Sequence, residues 1–403
     1  MPSVLHLRTV TGHGGGPEKT LLYSPRFIDP EYELRLAYVR PVGDRKYDLP
    51  ERAARLGVRL IDVPERGPAD PRTLWRLAAA VRRFRPDILH PHDYKTNVLA
   101  VLLARLFRLK VVTTLHGYVT IGGRLDWYYR IDRWAIRRMD HVIVVSDDLL
   151  EVVRDIGVPD ERVTLIENAI DAGEYRRRIP APAAKVRLGL SSDRLVIGAV
   201  GRLAPEKGFD RLVRAVARLA SDGWNVELWI AGDGPERENL ARLAEELNLG
   251  EHVRLLGHRS DLIDLYQAFD IFVLSSLREG LPNVMLEALA TEVPVVATNV
   301  AGVPRLIENG RNGFVVRSGT PEELSAAISL LLGDEALRQR FAKAGRETIE
   351  QRYNFRVRME KVRRVYDAVL GRSEPATRDL PNSNVEPESP LPPRPQPDRS
   401  GTE

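Results

Sequence analysis

The sequence predicts an α/β fold made of two parallel-sheet domains in tandem. Short apolar, β-branched runs alternate with amphipathic stretches, the pattern of strands joined by crossover helices and buried on both faces. The alternation occurs twice, with an interruption rich in arginine and proline between the two series. At 403 residues, 43% hydrophobic and 29% charged, the chain can bury two or three cores and has a globular composition.

The first series opens at Val4-Leu-His-Leu7, which reads as a strand rather than a signal peptide. Thr11-Gly-His-Gly-Gly-Gly-Pro-Glu18 follows and leads into a helical pattern through Leu21, Leu22 and Phe27. Its glycines suit a tight turn, or a close approach of backbone N–H groups to a ligand. Their spacing is not a dinucleotide fingerprint, and no phosphate-loop motif occurs. Further strands are expected at 34–39, 58–62, 87–90, 110–115, 142–145 and 163–166. His90-Pro-His92-Asp93 ends the fourth strand. That tetrad could ligate metal, but no other His or Cys cluster supports it, and the same residues suit a cleft wall. His116, followed by Gly117 just past the fifth strand, reads as a polar-site residue or a satisfied loop histidine.

The first domain is placed at 1–171 and a linker at 172–193. Strands of the second domain, 194–352, are expected at 195–200, 226–231, 253–256, 271–274, 295–298 and 314–316. A helix is expected at 353–372. The tail, 373–403, is rich in Pro, Ser and charge, lacks aromatics and is expected to be disordered.

The chemistry gathers after three strands of the second series. Gly201-Arg-Leu-Ala-Pro-Glu-Lys-Gly208 sets two cations, Arg202 and Lys207, beside a helix start, which suits a diphosphate. Gly232-Asp-Gly-Pro235 makes a similar turn. Glu279-Gly-Leu-Pro-Asn-Val-Met-Leu-Glu287 joins the strand at 271–274 to a helix that begins near Asn283. All three turns lie at carboxyl strand ends, where parallel sheets bind ligands. No D-x-D occurs, so a divalent cation on a nucleotide diphosphate has no obvious ligands; fixed cations could supply its charge.

Gly15-Gly-Pro-Glu18, the 201–208 segment, Gly232-Asp-Gly-Pro235 and Glu279–Glu287, in that order, resemble the retaining GT-B glycosyltransferases of family 4, over about residues 1–370. The resemblance implies two Rossmann-like domains facing across a cleft, with the C-terminal helices crossing back onto the first. It implies transfer of a sugar, with retention, from a nucleotide-diphosphate sugar to a saccharide or lipid-linked acceptor in cell-envelope polysaccharide or glycolipid synthesis. Glu287 would hold the ribose, Glu279 the transferred sugar, and Gly280, Leu281, Pro282 and Asn283 the sugar and phosphates. Arg202 and Lys207 would stabilise the departing diphosphate, with Gly232 in the turn beside them. Gly15 and Gly16 would close over the donor, and His116 would lie against the sugar. No covalent nucleophile, cofactor or metal is expected.

Two other readings remain open at this level: a nucleotide-sugar epimerase of the same architecture, and a non-catalytic nucleotide-sugar binder. The arginine–lysine turn favours transfer, and donor turnover discriminates the second.

The absence of cysteine excludes disulfides and thiol nucleophiles and fits a cytoplasmic protein. Net charge is +4, with the excess in the first half, too little to imply nucleic acid. Two stretches, 71–85 and 124–138, interleave aromatic residues with arginines. Trp75 and Phe84 lie in the first, Trp127 and Trp134 in the second. They suit either packing on the sheet or a peripheral site on an anionic membrane.

Overall fold

The computed structural model describes residues 1–117, 126–189, 194–250, 252–279, 281–300 and 302–372. Gly280, the 373–403 tail, 190–193 of the expected linker and the start of the 124–138 stretch lie outside the described residues. The chain divides into two compact units. One holds residues 1–169 and the helix Phe355–Val369; the other holds Ile170–Asn354.

In the first unit seven parallel strands lie in the order β3-β2-β1-β4-β5-β6-β7. They are β1 (Ser3–Thr9), β2 (Glu33–Pro41), β3 (Leu60–Glu65), β4 (Ile88–Pro91), β5 (Lys110–Leu115), β6 (His141–Val144) and β7 (Val163–Leu165). β3 starts later than the sequence pattern placed it. Val58 instead closes the preceding helix, its N–H donating to Ala53 O at 2.9 Å beside Gly57 at φ +68°. Alternation along β1 sends Leu5 and Leu7 into one apolar layer with Leu77, Val81 and Leu103. Val4 joins the other layer with Ile88, Val112, Met359 and Tyr366. The helix Phe355–Val369 covers that second face, and Phe355 stacks on Tyr23 and Phe27 with centroids 5.5 Å apart.

In the second unit six parallel strands lie in the order β10-β9-β8-β11-β12-β13. They are β8 (Leu195–Val200), β9 (Val226–Ala231), β10 (Val253–Gly257), β11 (Ile271–Leu274), β12 (Val295–Thr298) and β13 (Phe314–Val316). β8 and β11 are buried on both faces, which explains their unbroken apolar runs. Residues expected to be linker include a helix, Ala181–Arg187, anchored where Lys185 pairs with Asp270 at 2.6 Å.

Each sheet reverses its strand order once, between β1 and β4 and between β8 and β11. Such switch points open a crevice at the strands' carboxyl ends. Among the described residues, no helix is long and apolar enough to cross a membrane.

Candidate functional site

In the second unit the loops after β8 and β11 are joined. Gly208 is left-handed, φ +59°, and a Cβ there would lie 2.3 Å from Ser275 O, so only glycine lets these two loops meet. Ser275 Oγ donates to Lys207 O at 2.9 Å, and Leu277 N–H to Glu206 O at 2.8 Å. This brings Lys207 onto Glu279: the ammonium pairs with the carboxylate, which also accepts from Ser276 Oγ at 2.8 Å. Arg202 stands apart from that pair, exposed and bridged to Glu206. The two cations therefore do not occupy equivalent positions.

The turn after β9 packs on the turn after β8. A Cβ on Gly232 would sit 1.8 Å from Gly201 O, and one on Gly234 2.4 Å from Leu203 O. Leu203 N–H donates to Asp233 O at 3.0 Å. Close backbone packing thus accounts for both glycines of the Gly232-Asp-Gly-Pro235 motif.

Glu287 lies on the helix Asn283–Ala290, whose other faces are buried by Met285, Leu286, Ala288 and Leu289. It is itself buried, and Tyr266 Oη donates to it at 2.9 Å. Burial and then Glu287 hold the Tyr266 phenol well above its usual range, so it stays a donor. Leu281 and Pro282 are buried ahead of this helix, and Asn283 is partly exposed at its start.

In the first unit the glycine loop is held from within. Glu18, buried in the first turn of the helix Gly16–Phe27, accepts from Gly15 N–H at 2.5 Å and pairs with Arg8. A Cβ on Gly14, at φ +70°, would strike the Glu18 side chain at 2.5 Å. Gly15 is exposed and Gly16 begins the helix. Arg8 Nη1 also donates to His92 O at 2.9 Å, tying β1 to the end of β4. Asp93 caps the helix Tyr94–Phe107 and accepts from Thr9 N–H at 2.7 Å.

His90 and His92 are joined by His6 of β1, which lies opposite His90 in the sheet register. All three are buried, their rings stacked 4.3–5.1 Å apart, with ring nitrogens within 4.8 Å of one another. The third histidine that the local motif lacked is thus supplied 86 residues away by strand pairing. His116, partly buried after β5, sets Nε2 3.1 Å from His92 Nδ1. Burial, reinforced by neighbouring cations and rings, pushes His90, His92 and His116 well below the usual histidine range and His6 down to about 3.

The matches to known proteins fall on both units. Residues 24–174 fit the family model described as Glycosyltransferase Family 4, and residues 181–348 fit Glycosyl transferases group 1. The chain is 33% identical, over 66% of its length and 72% of the relative, to the lipopolysaccharide core biosynthesis glycosyltransferase LpsE of Rhizobium meliloti (strain 1021). It belongs to the group 1, family 4 glycosyltransferases. It is also 27% identical to the capsular polysaccharide biosynthesis glycosyltransferase CapM of Staphylococcus aureus, over 76% of this chain and 83% of that one. Among solved structures, Anabaena Alr3699/HepE in complex with UDP aligns with TM-score 0.77 at 21% identity, covering 91% of this chain and all of the other, a likeness of GT-B fold.

In this glycosyltransferase the structure brings Lys207, Glu279 and the turn around Gly208 together, and sets Arg202 outside that contact. Ser276 and Tyr266, which support the two glutamates, were not singled out by sequence reasoning. Ser276 carried a weak signal as a polar residue directly after an apolar strand. Tyr266 carried none, since it reads as an ordinary core aromatic. His6 and Tyr366 likewise read as core residues of a strand and a helix.

Proposed function

We propose that this glycosyltransferase moves a sugar from a nucleotide-diphosphate sugar to a saccharide or lipid-linked acceptor, with retention of configuration and without a metal. The observation that carries this reading is the Lys207–Glu279 pair, seated where the loops after β8 and β11 meet. Lys207 can turn from Glu279 to a diphosphate oxygen, and its charge then counters the charge that grows on the leaving group. Freed of the lysine, Glu279 accepts hydrogen bonds from adjacent sugar hydroxyls, and Glu287 does the same for a ribose. Arg202 is assigned with Lys207 to the departing diphosphate, His116 to the transferred sugar, Gly15 and Gly16 to closing over the donor, and the Gly280–Asn283 backbone to sugar and phosphates. The reaction assigned is a front-face one, in which the leaving phosphate helps to deprotonate the acceptor.

Relatives named for lipopolysaccharide core and capsular polysaccharide biosynthesis support an envelope polysaccharide or glycolipid as the product. The complex of Alr3699/HepE with UDP-glucose supports a nucleotide-sugar donor. The test is a thermal-shift panel of UDP-, GDP- and ADP-sugars, followed by transfer with and without EDTA and by NMR of the product anomer. Stabilisation by no nucleotide sugar overturns the reading. An inverted product overturns retention, and loss on chelation restored by Mn²⁺ overturns metal independence. Conversion of the donor to its epimer without transfer would favour an epimerase.

We also propose that the first unit works as a peripheral protein on the cytoplasmic face of the membrane. The helices Pro71–Phe84 and Tyr94–Phe107 carry no acidic residue. They expose Trp75 at 70% and Leu106 at 66% among exposed Arg72, Arg76, Arg82, Arg83 and Arg105. Rings that enter the headgroup layer beside arginines suit anionic lipid. Trp134 is a poorer anchor, since it packs on the core beneath Arg105 and Arg138. The expected result is sedimentation with anionic but not neutral liposomes, weakened by salt and by Trp75→Ser. Equal, negligible sedimentation with both overturns it.

A further inference from the structure

Four imidazoles and a phenol form one hydrogen-bonded file in the first unit. His116 Nε2 lies 3.1 Å from His92 Nδ1, and His92 Nε2 lies 2.8 Å from His6 Nδ1. His6 Nε2 is 3.5 Å from Tyr366 Oη, which is 2.6 Å from His90 Nδ1. His90 Nε2 ends the file on Thr114 Oγ1 at 2.8 Å. Among the described residues, His116 Nδ1 is the one ring nitrogen of the eight with no hydrogen bond.

A neutral imidazole offers one donor and one acceptor, so the file has only two proton orders in which every link is made and the Tyr366 phenol proton is itself used. Tyr366 decides between them. It either donates to His90 and accepts from His6, or the reverse. An O–H donor makes the shorter bond, and 2.6 Å suits a phenol O–H on His90 Nδ1. The 3.5 Å link is the slack one, where an imidazole N–H meets the phenol oxygen. In that order all four rings carry the proton on Nε2, and each hands its Nδ1 to the next donor. The last Nδ1, that of His116, is left as a bare acceptor.

We propose that His92, His6 and Tyr366 are positioning residues that hold His116 as the neutral Nε2–H tautomer, so that its Nδ1 accepts a hydrogen bond from a hydroxyl of the transferred sugar. The kinetic half of this inference rests on the assignment of His116 to the sugar; the tautomeric half stands without it. Through the file, Tyr366 of the C-terminal helix reaches His116 of the β5 loop by way of β1 and β4. His6, His90 and His92 are close enough to share a metal ion, but every ring nitrogen of the three already has a hydrogen-bond partner, so a metal would have to displace one at each ligand.

The test begins with long-range proton–nitrogen spectra of histidine-labelled wild type at pH 7, assigned by single substitutions. His6, His92 and His116 should each show the neutral Nε2–H pattern. Next, His92→Phe should scramble the His116 tautomer and lower kcat/KM for the donor about tenfold. His92→Gln, whose amide offers an acceptor and a donor in the same order, should restore most of it. A cationic or Nδ1–H His116 overturns the proposal, as do ring nitrogens shifted by a stoichiometric bound metal. Wild-type kcat/KM in His92→Phe also overturns it, and so does an equal defect in the Phe and Gln variants, the mark of a merely structural residue. If His92→Phe fails to fold, the wild-type spectra still decide. If wild type transfers from no nucleotide sugar, the assigned function falls and the tautomer result stands on its own.

Discussion

The two units place their polar groups at the same topological point and use opposite chemistry there. At the β1/β4 switch the groups are buried, neutral and hydrogen-bonded to one another, as in the file from His116 to Thr114. At the β8/β11 switch they are charged, less buried and paired, as in Lys207–Glu279 and Arg202–Glu206. Burial and charge set how each can act. Neutral imidazoles cost little to bury and offer directional donors and acceptors, which suits hydroxyls. A paired lysine keeps its charge available for an anion that arrives later. One fold hosts both because the switch point supplies only a crevice, and the residues beside it supply the chemistry.

The sharpest way to break this comparison is Lys207→Ala. Turnover should fall about a hundredfold or more, with donor binding changed much less, because the charge it meets grows toward the transition state. Arg202→Ala should cost less than Lys207→Ala, since Arg202 is exposed and bridged to Glu206. Steady-state kinetics with calorimetric donor affinities check both, and equal effects would erase the distinction between the two cations.

Acid should separate the units next. Burial first, then Arg358, holds His6 down to about 3, and burial first holds His141 down to about 4. His90, His92 and His116 are also held low. The folded first unit therefore binds fewer protons than its unfolded chain below about pH 6.5. Its stability is complete above that pH and is lost progressively as the pH falls toward the folded values. Asp132, which burial pushes up to about 6, acts in the opposite sense, but it is one proton against several. Calorimetry at pH 7 and pH 5 should show the first unit's transition moving down further than the second's. A larger shift of the second unit would contradict the assignment.

Gly208→Ala sharpens the other side. Its φ of +59° and the 2.3 Å approach of a Cβ to Ser275 O should cost about 1–3 kcal/mol and lower the melting temperature of the second unit. An unchanged melt would mean that the two loops are not held together as described.

The smallest effect compares cations. Arg358 is buried, its Nε has no hydrogen-bond partner among the described residues, and burial lowers it to about 10. Among the described residues, its Nη1 reaches only Met359 Sδ at 3.6 Å. Arg358→Met removes a poorly compensated buried charge and should stabilise the first unit by about 1 kcal/mol. A fall in its melting temperature would show that Arg358 has a counter-charge after all.

Period and punctuation made both sheets legible in the sequence. The strands of both sheets follow from apolar runs bounded by glycine, proline and polar residues, signals that depend only on near neighbours. The motif order 15–18, 201–208, 232–235 and 279–287 likewise pointed to the family, because each motif is contiguous. The shifted start of β3 was not legible, because it turned on how Gly57 and Val58 close the preceding helix.

The chain's local chemistry alone therefore set the architecture and the positions of the glycine-bearing turns at the carboxyl ends of its strands. Only the tertiary structure decided which side chains meet: Lys207 with Glu279 across 72 residues, Tyr266 with Glu287, His6 with His92 across 86, and Tyr366 with His90 across 276. Tyr266 and Tyr366 reach their partners from helices, Leu262–Ala268 and Phe355–Val369; for the other two pairs the cause is strand order. β1 lies beside β4 and β8 beside β11, so residues remote in sequence become neighbours through parallel pairing. No periodicity in the sequence encodes which loops such a crossover brings together.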